Sequence, residues 1–179
     1  GGIPGSMGGA LYMNAGAYNA ELADVVCSAE VYDVCDDHII TVNREEMRLG
    51  YRESIFQRAQ WVILSVVLRL RPGDRAAIRR ASEEYARRRN DRQPMDVPSA
   101  GSFFKRPKDA FAGGLIEEAG LKGLSVGGAK VSEKHAGFIV NAGGATARDI
   151  LSLADEVKWR VRERSGILLE EEPRIIGED

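Results

Sequence analysis

The segment from Thr146 to Gly166 constrains the fold more than any other part of the chain. Thr146 is followed three residues later by Asp149, the reciprocal arrangement that closes a helix start. Ile150, Ala154, Val157 and Val161 then recur at helical spacing, and Gly166 supplies the residue type that ends helices. Such a segment must be a helix with one apolar stripe, and the stripe must be buried against another element. The rest of the chain mixes strands with shorter helical segments. Residues 25–34 are rich in β-branched residues and weakly alternating. The pair Asp36-Asp37 supplies a turn, and residues 38–43 return as the second arm of a hairpin. Residues 44–50 read as a helical turn. Residues 61–70 are almost continuously apolar and predict a buried strand. The break at Arg71-Pro72-Gly73 marks a domain boundary. Beyond it, residues 74–92 predict a helix with Ile78, Ala81, Tyr85 and Ala86 on one face. Residues 97–106 form a loop leading into a short strand. Residues 111–119 form a helix stopped by Gly120, and residues 137–141 a short strand. An extended segment runs from Ile167 to Ile176. The class is therefore α+β.

Composition narrows the function by exclusion. With 179 residues, a net charge of -2 and 44% hydrophobic content, the chain can bury a core without disulfides. That charge gives no reason to expect nucleic acid or a membrane surface as a partner. The basic cluster Arg87, Arg88, Arg89 and Arg92 reads as a solvated helix end, where cations suit the dipole. Two cysteines, Cys27 and Cys35, and two histidines, His38 and His135, lack the spacing of a zinc site, so no metal is expected. Reduced thiols point to a cytoplasmic protein. No apolar run reaches the ~20 residues that span a bilayer. The chain opens within a glycine-rich loop, which leads to the expectation that it is a piece of a longer protein.

Four segments could carry chemistry. In Ile3-Pro4-Gly5-Ser6-Met7-Gly8-Gly9, small residues would let backbone N–H groups approach an anion; the same glycines could equally make tight turns beside a sheet. The spacing matches neither GxGxxG nor a Walker loop. Tyr51-Arg52-Glu53-Ser54-Ile55-Phe56 sets a guanidinium among aromatics, able to hold a carboxylate or to form an ordinary salt bridge. Ser102, in Ser99-Ala100-Gly101-Ser102-Phe103-Phe104-Lys105, could donate a proton, contact a ligand or simply turn the chain; no GxSxG elbow surrounds it. The run Glu170-Glu171-Glu172-Pro173-Arg174 is either a charged chain end or a carboxylate folded back into a site.

Taken together and in this order, these segments resemble the UDP-N-acetylenolpyruvoylglucosamine reductase (MurB) family. The similarity rests on IPGSMGGALYMNAGAY, YRESIF, PSAGSFFKRP with AGGLIEEAGLKGLSVGGAKVSEKHAGFIVN, and EPRIIGE, and it covers nearly the whole chain. The spacing from Arg52 to Ser102 is similar to the shorter subtype, which lacks a tyrosine-bearing loop in the substrate domain. One departure is Pro173, where the family commonly has valine; proline removes a backbone donor.

The resemblance implies a fold and a reaction. Residues 1–71 would be the C-terminal part of a vanillyl-alcohol-oxidase-type FAD-binding domain, whose N-terminal part the sequence does not include. Residues 72–166 would bind the UDP-sugar, and residues 167–179 would return to the active site. The implied activity is reduction of UDP-N-acetylglucosamine enolpyruvate to UDP-N-acetylmuramate, for peptidoglycan, with FAD and NADPH as cofactors. By matching positions, Arg52 would stabilise the enolate, Ser102 would protonate C2, and Glu172 would assist from the other side. Ile3, Pro4, Gly5, Ser6, Gly8, Gly9, Asn14, Gly16 and Arg174 would contact FAD. Lys105, Arg106 and Lys134 would hold the substrate's diphosphate or carboxylate. A monomer or weak dimer is expected. The alternatives are a non-catalytic UDP-sugar-binding module and another flavin oxidoreductase of the same superfamily.

Overall fold

The computed structural model describes residues 2, 3 and 5–177. The chain divides into two compact units, residues 1–80 and 81–179. Both mix helix and sheet, as the α+β expectation requires.

The first unit is built on a three-stranded antiparallel sheet in the order β4-β3-β5, with β3 at Val26–Asp33, β4 at His38–Asn43 and β5 at Trp61–Leu68. The β3–β4 hairpin follows from its β-branched residues and the Asp36-Asp37 turn, and its register is unbroken from Ser28↔Asn43 to Asp33↔His38. Helix α1, Met7–Tyr12, lies against β5. Local propensity gives little sign of it, because four of the residues from 5 to 9 are Gly or Ser and argue against a helix. Ser6 overrides that by capping: its Oγ accepts from the Gly9 N–H at 3.1 Å. A two-strand ribbon follows, β1 at Gly16–Ala17 and β2 at Ala20–Glu21. Leu11, Val26, Ala29, Val31, Val42, Met47 and Phe56 form the core of this unit.

Strand β5 is covered on one face by this chain's own residues: among the described residues, Val62, Leu64 and Val67 are each about half exposed, at 52%, 51% and 52%. Ile63 and Val66 pack inward against the core. An antiparallel sheet covered on one side needs only alternate residues inside, so an apolar run alone does not distinguish one covered face from two.

Helix α2, Arg75–Arg92, forms where expected, but none of its residues is buried. Ile78 is 58% exposed and Tyr85 41%. The predicted apolar face therefore has no core beneath it among the described residues. Arg87 and Arg88 both bond the Glu84 carboxylate one turn earlier, which accounts for much of the basic cluster as surface ion pairing.

The second unit is a four-stranded antiparallel sheet in the order β6-β9-β8-β7. Its strands are β6 at Ser99–Ser102, β7 at Ser125–Val126, β8 at Ala129–Val131 and β9 at Phe138–Asn141. Helices α3, Ala112–Glu118, and α4, Ala147–Ser165, pack together, and α4 lies on β7 and β8. The α4 cap forms as read: Thr146 Oγ1 accepts from the Asp149 N–H, the Asp149 carboxylate accepts from the Thr146 N–H, and Gly166 takes a left-handed φ of 73°. Leu153, Ala154, Val157 and Val161 are fully buried, while Ile150 is only partly so. Burying each of the larger side chains contributes roughly 1.5–3 kcal/mol, so this stripe fixes where α4 sits. The short β7–β8 hairpin, unread in the sequence, turns at Gly127-Gly128. Among the described residues, no helix is long and apolar enough to cross a membrane.

Candidate functional site

Strand β6 is irregular where it matters. Its register against β9 shifts between Ser99 and Ser102. Within the shift Gly101 adopts a left-handed φ of 83°, and its N–H donates to the Ser99 Oγ at 3.3 Å. An inserted residue of this kind bends the strand and re-aims the next side chain. That side chain is the exposed Ser102, paired with Phe138 of β9.

The tail returns to this strand. Leu169 is buried in the core of the second unit. The Lys105 N–H donates to the Glu170 carbonyl at 2.8 Å, and the Glu172 N–H donates to the Phe103 carbonyl at 2.9 Å. Phe104 and Glu171 form the β-bridge between them. Residues 103–105 and 170–172 thus run antiparallel, with the Glu172 amide bonded one residue from Ser102. Phe103 also donates its own N–H to the Gly137 carbonyl at 2.8 Å, so its backbone ties tail and β9 together.

The tail side chains are held as well. Lys105 forms an ion pair with Glu170. Glu171 accepts from Lys158 of α4 at 2.8 Å, and Lys158 also reaches Asp155 at 2.7 Å. The bonds to Asp155 and then to Glu171 raise the Lys158 pKa above its ordinary value. Asp155 and Lys158 lie three residues apart on α4, the spacing at which helix side chains meet. Nothing local in the sequence indicated the bond from Lys158 to Glu171.

Lys134 and Arg106 are exposed residues of the same unit. The Lys134 Nζ donates to the Asn90 carbonyl at 2.7 Å. The guanidinium of Arg106 stacks over the Phe111 ring at 4.1 Å. His135 is half-buried and packs edge-on against Phe138, with ring centroids 5.0 Å apart. The Gly137 N–H reaches its Nδ1 at 3.1 Å. Desolvation by burial lowers its pKa. Arg174 is exposed at the end of the tail.

The remaining expected site residues belong to the first unit. Arg52 sits in a tight turn closed by reciprocal backbone bonds between Gly50 and Glu53, at 2.9 and 3.2 Å. Its φ is 54°, a left-handed value rare for a residue with a side chain. Neighbouring groups hold it there. The Gln57 Nε2 donates to the Arg52 carbonyl and to the Tyr12 carbonyl, both at 2.9 Å. The Arg52 Nη2 donates to the Gly16 carbonyl at 3.2 Å, and the guanidinium lies 5.0 Å from the Tyr51 ring centre.

Asn14 is fully buried, and its amide serves the same region. Its Nδ2 donates to the Gly50 carbonyl and its Oδ1 accepts from the Ala23 N–H, each at 2.9 Å. The side chain of Asn14 therefore anchors the turn that carries Arg52. Of the glycine-rich segment, Pro4 lies outside the described residues. Ser6 caps α1, Gly8 and Gly9 form its first turn, and Gly16 opens β1. Gly5 has a φ of 137°, and no atom lies within 4 Å of where its Cβ would stand. Ile3 and Met7 beside it are 50% and 48% exposed.

Known proteins supply the context for this arrangement. Residues 93–176 match the family described as UDP-N-acetylenolpyruvoylglucosamine reductase, C-terminal domain. A UDP-N-acetylenolpyruvoylglucosamine reductase of Clostridium kluyveri is 54% identical over 179 residues, covering 99% of this chain and 58% of the relative. One of Lachnoclostridium phytofermentans is 51% identical over 177 residues, covering 99% and 57%. The crystal structure of UDP-N-acetylenolpyruvylglucosamine reductase (MurB) from Thermus caldophilus matches with a TM-score of 0.83 and 40% identity, covering 96% of this chain and 60% of that one. The chain thus spans less than two thirds of the length of these relatives. With residues 93–176 matching its C-terminal domain and sequence likeness running through the rest, the chain belongs to the UDP-N-acetylenolpyruvoylglucosamine reductase (MurB) family, whose C-terminal part it represents.

Proposed function

We propose that the protein to which this chain belongs reduces UDP-N-acetylglucosamine enolpyruvate to UDP-N-acetylmuramate, using FAD and NADPH, in the cytoplasmic synthesis of peptidoglycan precursors. The observation that carries this reading is the pairing of the tail with the Ser102 strand through the Glu172–Phe103 backbone bond. It sets Ser102 and Glu172 on neighbouring extended segments of one unit, which supports their joint role in the reaction.

The residues present suit a flavin. An open glycine-rich turn beside exposed Ile3 and Met7 offers backbone and apolar surface to a flat ring system. Ile3, Gly5, Ser6, Gly8, Gly9 and Gly16 would hold it, with Arg174 from the tail and Asn14 acting through the Arg52 turn. When bound, FAD supplies the two-electron transfer from NADPH to the enolpyruvyl double bond, chemistry that no side chain can perform.

The chain's own residues then have distinct tasks. Arg52 places a permanent positive charge where negative charge develops on the substrate carboxylate. Ser102 gives a proton to C2; because an alcohol is a poor acid, solvent or a neighbouring group must replace that proton in step. Glu172 acts from the opposite side. Lys105, Arg106 and Lys134 bind the diphosphate or carboxylate, and the substrate's anion competes with Glu170 for Lys105.

The test is single-turnover absorbance on the full-length protein. With Ser102→Ala, NADPH should still bleach the flavin, while reoxidation by the enolpyruvyl substrate should be slowed at least ~100-fold, the scale for losing a positioned proton donor. Reoxidation at the normal rate removes Ser102 from the chemistry. A protein that binds UDP-N-acetylglucosamine but never shows a flavin spectrum is instead a non-catalytic sugar-nucleotide module.

A further inference from the structure

The ion pair between Lys158 and Glu171 joins α4 to the returning tail across 13 residues of sequence. Glu171 is the central residue of the three that pair with β6's extension, the one whose backbone bridges Phe104. Neighbouring residues of an extended segment point to opposite sides. Fixing the Glu171 carboxylate on α4 therefore sets the rotation of the tail about its own axis, and with it the direction in which Glu172 projects. Lys158 is well placed for this. It lies one residue after Val157 on the helix, whose side chain is fully buried, so its backbone is fixed by the core. Its side chain is only 27% exposed and that of Glu171 only 20%, which spares the pair much of the solvent screening that weakens surface ion pairs. Asp155, one turn earlier, also holds the ammonium at 2.7 Å, a second bond that limits its motion.

We propose that Lys158 is a positioning residue: by clamping Glu171 to α4 it orients Glu172 beside the Ser102 strand for the reaction. This rests on the function proposed above. Lys158 acts through the tail and needs no contact with substrate or cofactor. The backbone bonds at Glu170 and Glu172 align the tail, while the Lys158–Glu171 pair fixes its twist.

Two readouts on the full-length protein decide the matter. Lys158→Met keeps the apolar stem and removes the charge; Lys158→Arg keeps the charge and should restore function. In Lys158→Met, amide hydrogen exchange across residues 168–174 should be about tenfold faster, since local opening there loses an anchoring contact. Reoxidation of the reduced flavin by substrate should slow roughly ten- to hundredfold, the scale of small misplacements in an active site, while reduction by NADPH stays normal. Unchanged exchange overturns the clamp. Faster exchange with normal reoxidation, in a protein where Glu172→Gln slows reoxidation, overturns the positioning role. If Glu172→Gln leaves reoxidation normal, the catalytic assignment of Glu172 fails, and with it the positioning role, whereas the exchange result still decides whether Lys158 clamps the tail.

Discussion

The Glu172 amide donates to the Phe103 carbonyl at 2.9 Å, across 69 residues of sequence. With the Lys105–Glu170 bond and the Phe104–Glu171 bridge it makes the tail an added edge beside the extension of β6, one residue from Ser102. In the first unit a comparable precision surrounds Arg52, whose left-handed backbone is held through its carbonyl by Gln57. In each case the expected catalytic position is fixed by its backbone, while the side chain projects from a short irregular segment. Such segments place functional groups where regular strands and helices cannot.

Strain at Arg52 can be separated from its chemistry. Arg52→Ala and Arg52→Gly both remove the guanidinium and its bond to Gly16, but only glycine adopts a φ of 54° without cost. Arg52→Gly should therefore be more stable than Arg52→Ala by about 1 kcal/mol in denaturant unfolding. Both should lose turnover on the order of 100-fold or more, the usual scale for removing a charge-stabilising donor. Equal stability of the two variants would show that the turn relaxes freely, and turnover within ~10-fold of normal would remove Arg52 from the chemistry.

Two glycines of the second unit should respond very differently to alanine. A Cβ on Gly128 would stand 2.3 Å from the Gly143 carbonyl oxygen and 2.4 Å from the Ala145 nitrogen, both backbone atoms. Gly128→Ala must displace the β7–β8 hairpin or the approach to α4, at a cost of roughly 3 kcal/mol or more. Gly120, at the end of α3, has a φ of 71° and nothing within 4 Å of its Cβ position. Gly120→Ala should cost only about 1 kcal/mol, from backbone strain alone. Equilibrium unfolding of the two variants would compare these directly, and similar losses would contradict the tight packing at Gly128.

The pH dependence of stability should carry a histidine signature. Burial disfavours the charged form of His135, so its folded pKa lies below its unfolded value. The unfolded chain then binds the extra proton first as pH falls. Its contribution is fully present above pH ~6.5 and declines as pH drops from there toward the folded pKa. His135→Phe should flatten this part of the stability curve between neutral pH and pH ~5, measured as denaturation midpoint against pH. An unchanged slope would assign the effect to other groups.

Local signals in the sequence sufficed for the elements whose cause is local. The Thr146–Asp149 cap, the stripe ending at Val161 and the Gly166 stop specified α4 because each acts within a turn or two of helix. The β3–β4 hairpin was legible for the same reason, since its turn residues and β-branched arms are contiguous. Helix α1 was not legible, because a single capping hydroxyl, Ser6, outweighs the poor helix propensity of the glycines that follow. Family likeness pointed to Arg52, Ser102 and Glu172, but not to the groups that hold them.

Tertiary structure alone decided the rest. Which face of β5 is covered depends on what packs beside the sheet, so Val62 and Leu64 could not be told from Ile63 by hydrophobicity. The left-handed turn at Arg52 depends on Asn14, which reaches Gly50 from far along the chain, and on Gln57, whose amide ties the turn to the distant Tyr12 carbonyl. Phe104 meets Glu171, and Lys158 meets Glu171, only because a packed core brings distant segments together. Closing those loops costs chain entropy that no local preference offsets; burial of apolar surface throughout the unit does so, and it acts only once the fold is formed.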